Sequence, residues 1–218
     1  EPDTDAIPII RQEKKTTMNS GTCALAGLFV AAVIVHGSAT ALGATFVDPL
    51  DAPAATSPLA QHSQLIAIAR AGDRLVVAGM RGHILYSDDD GRTWTQAQVP
   101  VSVTLTALAF PTPQLGWTVG HGGVVLHSDD GGQSWQRQLD GRRTAVDMVG
   151  YYEGLAASGD ETAARLVEEL PINWRGGPEQ PWLGVWFADE QHGFVVGAFN
   201  LMLETRDGRR VPVGRLQP

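Results

Sequence analysis

Three observations predict an all-β chain of short antiparallel strands joined by tight turns. Glycine and proline, 25 and 13 residues, make up 38 of 218. That is too much turn chemistry for a helical bundle and, without a triplet period, too little for a collagen-like chain. The apolar share of 43% supports a packed core and excludes wholesale disorder. The third observation is a turn pattern, S-x-D-x-G-x-[ST]-W, that occurs twice, 41 residues apart, at Ser87–Trp94 and Ser128–Trp135.

The chain begins with a polar stretch, residues 1–17, which reads as upstream or disordered sequence. Residues 18–44 read as a secretory signal: an apolar run from Ala24 to Val35 precedes the small-residue pattern Ala39-Thr40-Ala41. The run is about 12 residues, below the ~18–20 needed to span a bilayer, so export is favoured over an uncleaved anchor. A periplasmic location is expected, or a thylakoid lumen in a photosynthetic organism. The single cysteine, Cys23, lies inside that segment, so removal would leave a chain without thiols or disulfides. Residues 45–60 read as a linker.

Residues 61–208 carry the repeat. Val76–Tyr86 aligns with Trp117–His127, and upstream Leu65–Ala69 aligns with Thr106–Phe110. A third copy runs through Leu183–Phe187 and Gly193–Gly208, with Gly197 lying 77 residues after Gly120. Each unit reads as strand, turn, strand, Gly-rich turn, strand, Asp-rich turn and Trp-led strand. Four short antiparallel strands per roughly 40 residues predict a blade of a β-propeller. The expected fold is a partial propeller of roughly three four-stranded blades, truncated from a larger ring, with a small helical insertion.

The repeated turn has a physical reading. The hydroxyls of Ser87 and Ser128 open it, with Thr93 and Ser134 behind. Asp89 and Asp130 can accept hydrogen bonds from backbone N–H groups of their own turn. Gly91 and Gly132 permit a positive φ. Trp94 and Trp135 can wedge between layers. Thr205 and Asp207 begin a third copy. A calcium loop is rejected, because Tyr86 and Ala97 stand where an EF-hand would need acidic ligands. No histidine pair has helical zinc spacing, so His83, His121, His127 and His192 read as surface turn residues, and no metal is expected.

Residues 141–180 break the β pattern. A first helix is expected around Thr144–Tyr152, ended by Gly154. A second is expected after a capping box at Ser158 and Glu161, and stopped by Pro171. Tyr151, Tyr152 and Trp174, with Arg142 and Arg143, are the expected partner contacts. A lid over exposed strand ends is the competing account of the hairpin. After Asp207-Gly208 the repeat is lost, and residues 209–218 read as an aberrant tail from a frameshift or truncation. An arc with two open blade faces should be unstable or self-associate.

The two turns are Asp-boxes, the BNR repeat of sialidases and other propellers. The wider unit resembles the photosystem II stability/assembly factor family over roughly residues 60–208. That resemblance implies a non-catalytic, exported propeller that binds a protein, a membrane complex or its subunit, with no cofactor. In photosynthetic members it implies binding of a precursor reaction-centre subunit through an arginine-rich patch. The net charge of −8 and the absence of a basic run exclude nucleic acid as partner. The competing enzyme reading is a sialidase-like glycosidase with Tyr152 and Glu153 in play. The arginine triad and the Arg-Ile-Pro segment that this chemistry uses have no match in the chain. A broken gene product without function of its own is the third reading.

Overall fold

A computed structural model describes residues 45–173, 177, 179–198 and 201–208. The expected signal segment, Trp174 and the expected tail lie outside the described residues. Eleven strands, two α-helices and three single-turn 3-10 helices are described. Blade 1 holds β1 (Leu65–Ala71), β2 (Arg74–Gly79), β3 (Ile84–Ser87) and β4 (Thr95–Gln96). Blade 2 holds β5 (Leu105–Ala109), β6 (Gly116–Gly120), β7 (Val125–Ser128) and β8 (Gln136–Leu139). Blade 3 holds β9 (Trp182–Phe187), β10 (Gly193–Gly197) and β11 (Met202–Thr205). In each blade the strands follow one another in sequence order and pair antiparallel. The fold is a partial β-propeller with a helical insertion.

Register corrects the sequence alignment by one residue at the first strand. Leu65 pairs with Gly79 and Leu105 with Gly120, so Leu65 corresponds to Leu105, not Thr106. The turn between β5 and β6 is longer than its blade-1 counterpart and absorbs the difference. A β-bulge follows both residues.

The glycine closing the second strand of each blade is required by close approach, not by φ. An added Cβ would meet a backbone oxygen at 2.1 Å at Gly79 and 2.2 Å at Gly120.

Two cores fill the blade junctions. Between blades 1 and 2 lie Val76, Ala78 and Ile84 against Leu105, Val124, Leu126 and Trp135. Between blades 2 and 3 lie Trp117, Val119 and Val125 against Trp182, Phe187 and Val195. The Trp117 and Phe187 rings stack at 3.8 Å. The Thr106 hydroxyl bridges this second junction by donating to the Trp182 carbonyl at 2.6 Å.

The insertion differs from expectation in three ways. First, α1 runs Gly141–Ala157, through Gly150 and Gly154, and Asp140 caps it by accepting from the Arg143 N–H. Second, α2 runs Glu161–Asn173 with Pro171 inside its last turn, where a missing N–H is tolerated poorly but only locally. Third, Ser158 does not cap α2. Its hydroxyl donates back to the Leu155 carbonyl, while the Asp160 carboxylate accepts from the Thr162 and Ala163 amides. An ionised carboxylate at a helix N-terminus outcompetes a hydroxyl two residues earlier. The hairpin is docked on the blades. Met148, Tyr152, Ala163 and Leu170 enter the blade 2–3 core.

Residues 48–55, expected as linker, are packed along the first junction. Leu50 is buried in its core, and the Ala54 and Ser102 amides donate to Val99 and Pro49 carbonyls.

Candidate functional site

The Asp-box turns are built as their residue types dictate. In the first, Asp89 accepts from the Thr93 amide at 2.8 Å, the Thr93 hydroxyl at 2.6 Å and the Ser87 hydroxyl at 2.7 Å. These donors hold its pKa down at about 2. Gly91 takes φ 84° and its amide donates to Ser87. In the second, Asp130 accepts from the Ser134 amide and hydroxyl, the Gln133 amide and the Ser128 hydroxyl. Burial pushes its pKa up, and those donors together outweigh it, so the net shift is downward. Gly132 takes φ 86°. In the third, Thr205 donates to Asp207 and accepts from the Gly208 amide. In the first two turns these groups are spent on shaping the turn.

The tryptophans divide. Trp135 is buried in the first junction, edge-on to Phe110 at 5.9 Å, with its indole N–H donated to the Gly132 carbonyl. Trp94 is half-buried on the other face of blade 1, beside Val77, Leu85 and Ala60.

The expected partner contacts also divide. Tyr152 is a core residue, 4% exposed, because its position on α1 faces the blades. Tyr151, its neighbour, is 41% exposed and meets it edge-on. Arg142 pairs with Asp51 and Asp48, and Arg143 with Asp147. Arg137 pairs with Asp51 and Asp140. The three arginines therefore stand together near the start of α1, each already matched to carboxylates. The partners Asp48 and Asp51 arrive from the segment before the first blade, whose sequence carries no signal of that pairing.

The histidines are not all surface groups. His83 is buried, with Nδ1 3.0 Å from the Ser63 hydroxyl, and burial and the nearby Arg81 charge push its pKa down. His127 lies against Trp117 at 4.7 Å, and burial lowers its pKa as well. His192 pairs with Glu204. Among the described residues no cluster of three His, Cys, Asp or Glu could hold a metal ion. No described helix is long and apolar enough to cross a membrane.

A cavity of about 730 Å³ opens between blades 2 and 3, with Trp117, His127 and Gln138 on one side and Glu190, Asp207 and Gly208 on the other.

Residues 87–160 match the family model of the Photosynthesis system II assembly factor YCF48. That stretch runs from the first Asp-box through blade 2 and α1, and it carries the resemblance the two boxes announce. No curated protein matches the chain. Among solved structures, the chain is similar to YCF48 bound to a D1 peptide, at 14% identity and TM-score 0.46, over 68% of this chain and 39% of that one. It is similar to YCF48 from Cyanidioschyzon merolae at 16% identity and TM-score 0.42, over 70% and 42%. It is similar to an ancestral GH74 enzyme at 13% identity and TM-score 0.38, over 65% and 18%. The chain thus spans less than half the length of each.

Proposed function

We propose that this chain is a non-catalytic, protein-binding propeller segment of the YCF48 type, which assists assembly or stability of a membrane complex. The observation that carries the reading is the family match over residues 87–160. Rigid blades presenting turns and a docked helical hairpin offer a broad recognition surface of the kind such a role uses. A reaction-centre subunit of the D1 type is the proposed client, since one YCF48 structure holds a D1 peptide. Export to a periplasm or lumen belongs to the same proposal, supported by the apolar run and Ala39-Thr40-Ala41. The test is isothermal titration of the chain with a D1 peptide. Saturable binding supports the reading. Turnover of a sialoside, lost in Glu153→Gln, overturns it in favour of the glycosidase.

Self-association has its own observation. Trp186 and Val196 are 57% and 45% exposed on the outer face of blade 3, with the Phe194 ring stacked beside Trp186. By register Phe194 and Val196 correspond to Trp117 and Val119, which blade 2 buries against blade 3. An interblade face of this composition should pair with a second copy.

A further inference from the structure

One guanidinium present at the first blade junction is missing from the second. At the first, Arg74 holds Asp88 with Nε at 2.6 Å and Nη2 at 2.9 Å. Its guanidinium lies 4.5 Å over the Tyr86 ring, and Nη1 donates to the Gly131 carbonyl of the next blade at 3.1 Å. A carboxylate, an aromatic face and a carbonyl thus surround one planar cation, the arrangement that Arg satisfies and Lys does not.

At the second junction the surroundings recur without the cation. The 41-residue offset places Asp129 where Asp88 stands, and His127 where Tyr86 stands. Strand register agrees, since Tyr86 pairs with Val76 and His127 with Trp117. The 77-residue offset places Gly208 where Gly131 stands, and both amides donate to the matching glutamine carbonyl, Gln191 or Gln114. The position of Arg74 is taken by Leu115. Leu115, His127, Asp129 and Gly208 all line the 730 Å³ cavity. Among the described residues no hydrogen-bond donor and no cation engages the Asp129 carboxylate. The Gly208 carbonyl accepts one bond, from the Gln138 amide at 3.0 Å, and a carbonyl has room for a second. Arg137, the arginine at the rim, is committed to Asp51 and Asp140.

We propose that this cavity is a binding site for an arginine side chain of a partner protein, which supplies at the second junction the guanidinium that Arg74 supplies at the first. Asp129 holds the fork, the His127 ring lies under the plane, and the Gly208 carbonyl takes an N–H. Burial keeps His127 neutral at pH 7, so the ring does not repel the cation. Glu190 on the rim adds a second carboxylate for a basic segment. The inference rests on the protein-binding reading and names the chemistry of one of its surfaces.

The test is isothermal titration of the full chain with acetyl-Gly-Gly-Arg-Gly-Gly-amide and with the same peptide carrying Lys. The expected result is saturable binding of the Arg peptide, about tenfold or more tighter than the Lys peptide. Asp129→Asn should weaken it about tenfold. Leu115→Arg should abolish it by filling the site from within, with a melting temperature no lower than wild type. If Leu115→Arg fails to fold, Asp129→Asn decides. Equal affinity for Arg and Lys peptides, or unchanged affinity in Asp129→Asn, overturns the site. Binding seen only after Arg209→Gln and Arg210→Gln overturns the partner's role and gives the site to the chain's own arginines. Loss of D1-peptide binding with the Arg peptide still bound would sink the client reading and leave the site standing.

Discussion

At the residue scale the Asp-boxes show how completely a turn can consume its polar groups. Asp130 accepts four hydrogen bonds within its own turn. Asp130→Ala should therefore cost about 1–3 kcal/mol in denaturant unfolding, because the Ser134 and Gln133 amides lose their acceptor. A change under about 0.5 kcal/mol would mean that water replaces the carboxylate without loss. Acid should act on the same turns. The Asp89 pKa is depressed to about 2 in the fold, from 3.8, so its contribution is present above about pH 4 and is lost as pH falls towards 2. Carbon-13 titration of the side-chain carboxyls checks this, and an Asp89 midpoint near 3.8 would refute it. His83 acts earlier. Its pKa is lowered by burial, so its contribution is full above about 6.5 and declines as pH falls below that value. Replacing His83 by Gln should flatten the melting temperature between pH 7.5 and 5.5 relative to wild type. These burials were hidden in the sequence. His83 and His121 look alike there as histidines in Gly-rich turns, yet one meets Ser63 from a distant segment and the other faces solvent.

At the element scale, the blades were legible and the helix ends were not. Blade strands are announced by period and by punctuation, since alternating apolar residues and Gly or Asp turns recur in all three copies. Asp89 and Asp130 accept from their own turns and Gly91 and Gly132 take positive φ, whereas Trp94 lies outside the junction that buries Trp135. Helix ends depend on a contest between neighbouring caps, and sequence spacing alone does not settle it. Ser158 and Asp160 both precede α2, and the carboxylate takes the amides. Asp160→Ala should cost about 0.5–2 kcal/mol, while Ser158→Ala should cost clearly less. Equal losses would restore the capping box. Of the two tyrosines expected as partner contacts, Tyr152 is buried and Tyr151 exposed, for a related reason. Adjacent residues on a helix point about 100° apart, so only one of the two can face the blades. Gly120 gives the element-scale test of packing. Gly120→Ala would push a Cβ against the Thr104 carbonyl, and a loss of about 1–3 kcal/mol is expected.

At the scale of the whole molecule, three blades share two junctions of the same design, yet the second is remodelled. Its core gains the inner face of the α1–α2 hairpin and loses a guanidinium at Leu115. The loss of the guanidinium is legible from the 41-residue offset, but the docking of the hairpin is not, because the insertion has no counterpart in the repeat. The exposed face of blade 3 makes a prediction about assembly. Trp186→Glu should shift the sedimentation profile towards monomer if that face pairs two copies, and an unchanged profile would exclude it. The central proposal is that this arc binds a client of the D1 type. Isothermal titration of the chain with a D1 peptide tests it most directly. The account predicts a saturable heat with one peptide bound per chain. No heat up to millimolar peptide would contradict it.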